Sequence, residues 1–121
     1  MGVSEPLIQT SLLGEAIEHA PVAVFVADEH GNYVAVNQAA CALLGYDRRE
    51  LLEMNVSDVA RYGAAKDEWT EMQRDGAHVG ASQLTRKDGT VVDFAYSAAA
   101  TTVAGMPVFV SVGSAVVPNG R

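Results

Sequence analysis

Apolar residues recur along this chain at two spacings, and the switches between them mark its elements. Leu12, Leu13, Ala16, Ile17 and Ala20 fall three and four apart, as one face of a helix does. Ser11 can cap that helix and Pro21 ends it, since proline lacks an amide donor and biases its predecessor away from helix. The stripe is either core or a partner contact. Val22–Ala27 (VAVFVA) is then a β-branched and aromatic run, which predicts a buried strand. Asp28–Asn32 supplies turn chemistry, with Gly31 and Asn32 tolerant of positive φ, and Tyr33–Val36 returns as a second strand of a hairpin.

The middle of the chain changes to the helical period. Asn37 caps a helix over Gln38–Leu44, and Gly45 stops it. Asp47 caps a short helix over Arg48–Glu53, with Leu51 and Leu52 as its apolar face, and Ser57 or Asp58 starts a further turn. A longer helix is expected over Ala64–Arg74, where Tyr62, Ala65, Trp69 and Met72 share a face and the charged residues stand elsewhere. Alternation then resumes. His78–Arg86, Thr90–Thr102 and Val108–Val117 read as strands, joined by turns at Lys87-Asp88-Gly89 and at Ala104–Pro107. Hairpins dominate and no strand–helix–strand repeat occurs, so the class is α+β, an antiparallel sheet with helices on one face. The domain is expected over residues 11–117, between tails at 1–10 and 118–121.

Composition narrows the function. A chain of 121 residues is one domain, and 49% hydrophobic residues are enough for a core without disulfides or metal. Eight Lys and Arg against fifteen Asp and Glu leave a net charge of −7, which disfavours nucleic acid and anionic membranes as partners. Cys41 is the one cysteine, so no intrachain disulfide forms and no CxxC pattern exists. Neither a signal peptide nor a membrane-spanning run is visible, which makes the cytoplasm the expected compartment. GxSxG, Walker and GxGxxG patterns are missing, and His19, His30 and His78 lack metal-ligand spacing. No catalytic or metal-binding residues are assigned, and the chain is not expected to be an enzyme.

Several local motifs, taken in order, carry a resemblance. The strand Val22–Asp28 runs into Gly31 and Asn32, and Asn37-Gln38-Ala39-Ala40 opens a helix. Gly45-Tyr46-Asp47 precedes Glu50-Leu51-Leu52, and Arg86-Lys87-Asp88-Gly89-Thr90 forms a hairpin turn. The chain thereby resembles a PAS domain, the sensory module of many signalling proteins, from Leu12 to about Val117. The resemblance implies a five-stranded antiparallel sheet in the order 2-1-5-4-3, with helices on one face and an N-terminal helix. It implies a sensor coupled to a separate effector such as a kinase, cyclase or transcription regulator. Many members dimerise through the outer sheet face and the N-terminal helix, so a homodimer is expected.

The better-known cofactor classes of the family do not fit. The N-C-R-F-L-Q stretch of the light-oxygen-voltage members does not occur, and Cys41 lies on the earlier helix, where it reads as a small buried thiol. Val59-Ala60-Arg61-Tyr62 stands where photoactive yellow proteins attach their coumaroyl chromophore, without a cysteine. The helix that carries the haem-ligating histidine in oxygen sensors has none here, with Ala65 at the matching position. Flavin held noncovalently stays open as an alternative.

The resemblance also orients the late strands. It turns Phe94, Tyr96, Phe109 and Ser111 inward, with Tyr62, Trp69 and Met72 closing over them from the helix. These seven are the expected ligand-binding residues. Small neighbours such as Ala98 and Gly113 leave room for a small, mostly apolar ligand. The competing reading is a core filled by aromatics, serving dimerisation only, because an empty cavity costs roughly 24 cal/mol per Å³. The opposite face, with Val92, Ala95, Ser97, Ala99, Val108, Val110 and Val112, is small and apolar and needs a cover. The first helix and a second subunit are the expected covers. The last strand ends in Ser114-Ala115-Val116-Val117 where coupled members carry D-I-T, so the chain is expected to be a fragment or a stand-alone protein.

Overall fold

The computed structural model describes residues 6–60 and 77–116. Within them the order is α1 (Pro6–Glu18), β1 (Ala23–Asp28), β2 (Tyr33–Val36), α2 (Gln38–Leu44), α3 (Arg48–Leu51), α4 (Val56–Val59), β3 (Ala77–Thr85), β4 (Val91–Val103) and β5 (Met106–Ala115). The strands form one antiparallel sheet in the order β2-β1-β5-β4-β3. The helix expected over Ala64–Arg74 lies outside the described residues, with Tyr62, Trp69 and Met72.

Local chemistry sets most boundaries. Asp28 accepts hydrogen bonds from the His30 and Asn32 amides at 2.9 and 3.0 Å, which closes the β1–β2 turn around Gly31 at φ +86°. Burial works to raise the Asp28 carboxyl, but those amide bonds outweigh it and hold its pKa below the ordinary carboxylate value. Asn37 caps α2 through the Ala40 amide, and Gly45 ends it in the left-handed region at φ +81°. Asp47 and Glu50 form a capping box on α3. Asn55, rather than Ser57 or Asp58, caps α4, because its side chain accepts the Ser57 amide while Asp58 reaches back to the Asn55 amide.

Other boundaries differ from the sequence reading as well. The first helix already runs from Pro6, ahead of Ser11. The β4–β5 turn is also tighter than Ala104–Pro107. Ala104 and Gly105 both take positive φ, 51° and 79°, and Met106 and Pro107 already pair with Val103 and Thr102. Positive φ at both central residues is the hairpin turn that matches strand twist. Pro107 is tolerated because β1 pairs with β5 only from Val108 onward.

The core lies on the concave face. Ala23, Phe25 and Ala27 of β1 alternate inward and join Leu44, Leu51 and Val59 from the three short helices. Leu84, Val92 and Phe94 complete it from β3 and β4. Val92 therefore belongs to the inner face and not to the outer set, since it shares its parity with Phe94 and stands opposite Leu84.

Gly14 and Gly113 show opposite demands on a glycine. A Cβ at Gly113 would run into the Ala95 carbonyl oxygen and come within 2.8 Å of Tyr96 Cβ and 2.9 Å of Phe94 Cζ. A Cβ at Gly14, inside α1, would meet nothing within 4 Å. Gly14→Ala is therefore expected to raise the stability of α1 by about 0.5–1 kcal/mol, the helix-propensity difference between the two residues. Helix content by circular dichroism and the midpoint of thermal unfolding check this, and a fall in either would contradict it.

Candidate functional site

The concave face of β3, β4 and β5 combines an aromatic cluster with small residues. Phe94 is 3% exposed and meets Phe25 edge to face, with ring centroids 5.8 Å apart and an interplanar angle of 89°. Tyr96 stacks beside it at 5.9 Å and 10°, and Tyr33 extends the cluster through Phe25 at 5.5 Å. Ala98 and Phe109 form a second buried group, and Tyr96 packs against both. The cross-strand register sets Ser111 opposite Phe25 and Ala98, and Gly113 opposite Ala23 and Tyr96. Phe94, Tyr96, Phe109 and Ser111 thus share one face, as the strand alternation predicts.

Two contributors were not singled out from the sequence. Phe25 stands at the centre of the aromatic cluster, and its middle position in an alternating strand was the available signal. Ser82 lies opposite Phe94 on β3. Its hydroxyl oxygen is buried and has no hydrogen-bond partner. A buried hydroxyl left unpaired costs about 1–3 kcal/mol. Nothing local in the sequence marks that atom, because its surroundings come from other strands.

Among the described residues no group of three or more His, Cys, Asp or Glu could hold a metal ion. Cys41 is half-buried on α2, and burial pushes its thiol pKa up against the lowering effect of Arg48. A raised pKa keeps it a thiol at neutral pH, as a packing residue would be.

The outer face is open along its late strands. Val79 is 77% exposed, Val112 is 38% exposed, and Ala95, Ser97 and Ala99 are exposed as well. Val108 differs. It pairs with Asp28 and Thr101, yet it is buried within the single chain. Helix α1 buries none of its own residues, and Leu7, Leu12 and Leu13 stand exposed. Its C-terminal half stands over β1 and β2 and leaves a groove of about 210 Å³ lined by Gly14, Ile17, Val24, Val26 and Ala35. The helix therefore borders β1 and β2, and Ala95, Ser97, Ala99 and Val112, which it was expected to cover in part, stay exposed.

With this geometry in place, comparison with known proteins decides the family. The family model for the PAS fold matches residues 12–111. The chain belongs to the PAS family. A PAS domain from a two-component sensor histidine kinase superposes with a TM-score of 0.83 at 18% identity, covering 93% of this chain and 100% of that one. The PAS domain of an HTR-like protein from Haloarcula marismortui gives 0.79 at 24% identity, with 89% and 92% covered. An RNA-binding light-oxygen-voltage receptor gives 0.81 at 19% identity, covering 96% of this chain and 35% of that one. At these identities the structures establish a shared fold. No curated protein matches the sequence. PAS domains are sensory modules, generally without enzymatic activity, and occur in sensor histidine kinases and other signalling proteins. Among the described residues no helix is long and apolar enough to cross a membrane.

Proposed function

We propose that this PAS domain is a sensor for a small, mostly apolar molecule that carries one hydrogen-bonding group. The molecule sits against the sheet face that carries Phe94, Tyr96, Phe109 and Ser111. Occupancy is relayed through contacts with a second copy of the chain or with a signalling partner. The observation that carries this reading is the Ser82 hydroxyl, buried and unpaired next to the aromatic cluster. A ligand oxygen or nitrogen at that point would satisfy it, whereas a filled core would be better served by alanine. The exposed apolar outer face and the unburied leucines of α1 support a homodimer, because surfaces of this kind are normally covered.

Native mass spectrometry of freshly purified protein tests both parts, since it reports bound small molecules and subunit count together. The expected result is a dimer that retains a small molecule in the wild type and loses it in Ser82→Ala. In the ligand-free state Ser82→Ala is expected to be more stable by about 1 kcal/mol, because an unsatisfied hydroxyl is removed. A wild type that carries no molecule, together with a Ser82→Ala variant that responds identically to every added compound, would favour the dimerisation module with a filled core.

A further inference from the structure

Helix α1 buries none of its residues, and its C-terminal end makes polar contacts with the rest of the chain. Arg48, the first residue of α3, places Nη2 2.6 Å from both carboxylate oxygens of Glu18. The same guanidinium donates through Nε to the Val36 carbonyl at the end of β2, at 3.2 Å. Asn37 Nδ2 donates to the Ile17 carbonyl at 2.7 Å. One turn of α1 is thus tied to the junction of β2, α2 and α3.

Glu18 is at the C-terminal end of its helix, whose last turn holds no basic residue, so the helix dipole opposes its charge. Arg48, 30 positions away, offsets that charge, which no local neighbour in the helix does. The pair is also open to solvent, with side chains 47% and 34% exposed, so salt reaches it.

We propose that Glu18 and Arg48 form a latch that fixes the C-terminal turn of α1 on the β2–α2–α3 junction and sets the direction in which its leucines point. When the latch opens, α1 is freed while the sheet stays folded. The latch lies within one chain and does not depend on the ligand reading above.

Hydrogen exchange on the intact chain tests it, with α1 amides compared against those of β1 and β5. Glu18→Gln and Arg48→Gln are each expected to speed α1 exchange about two- to fivefold, the range an exposed ion pair supports. The double variant is expected to be no faster than the faster single, since one interaction is lost only once. Raising salt to about 1 M, where screening acts over roughly 3 Å, should speed α1 exchange in the wild type and leave the double variant unchanged. The ratio should hold at low and high protein concentration. Unchanged α1 exchange in both singles would overturn the latch, as would fully multiplicative effects in the double variant. Equal acceleration in β1 and β5 would show a pair that only stabilises the whole fold. A ratio that vanishes on dilution would assign the pair to a contact between copies, and either result would also overturn the latch.

Discussion

Phe94→Ala is expected to lower the unfolding free energy by about 3–5 kcal/mol, the range for truncating a buried aromatic ring. The ring is almost fully buried, packs edge to face on Phe25, stacks on Tyr96, and lies against the bare backbone of Gly113. Those neighbours come from β1, β4 and β5, which are held in a hydrogen-bonded sheet and cannot close onto the space the ring leaves. Domains of this size are stable by only about 5–15 kcal/mol, so the variant loses roughly a fifth or more of its stability. Urea unfolding measures this directly. A loss below about 1 kcal/mol would mean that the ring faces a solvated pocket, because truncation there removes little buried area.

Asn37→Ala is expected to cost about 2–4 kcal/mol, although it removes only one small polar side chain. Asn37 is 3% exposed, and all of its side-chain hydrogen-bonding groups are used. Its carbonyl oxygen accepts from the Val24 amide at 2.9 Å and the Ala40 amide at 3.0 Å. Its amide donates to the carbonyls of Ile17 at 2.7 Å and Val22 at 2.9 Å. Alanine removes the cap of α2, worth roughly 1 kcal/mol, and leaves further backbone groups to find water or go unpaired at about 1–3 kcal/mol each when buried. Asn37→Asp separates the two halves of the role. It keeps the acceptor and turns the donor into a second acceptor facing two carbonyls, so it should be destabilising as well. Unfolding measurements in which Asp restored wild-type stability would show that only the cap matters.

Asn37 also marks how far the sequence could be read. Its position before an apolar helix identified it as a cap, and that part was visible within four residues. Its bonds to Val22 and Ile17 depend on the return of β1 and α1 to the same corner, which no window along the chain contains. The strands behaved similarly. Alternation sorted Phe94 from Ala95 and Phe109 from Val110, because side chains on a strand point to opposite faces in turn. Val92, sorted outward in the sequence reading, shares the parity of Phe94, and its pairing with Leu84 sets it inside. Helix α1 already runs from Pro6, and Ser11 was read as its cap because the helix was traced from its apolar stripe.

By itself the sequence determined the α+β class, the hairpins, the caps on Asn37 and Asp47, the acidic charge and the family. These follow from preferences acting over one to four residues and from total composition. The tertiary structure alone decided that the Ser82 hydroxyl is buried without a partner, that Val108 is covered while Val79 is open, and that Glu18 meets Arg48. Each of these is a relation between residues far apart in the chain. Such relations exist only after the sheet has paired and its two faces have been given different neighbours.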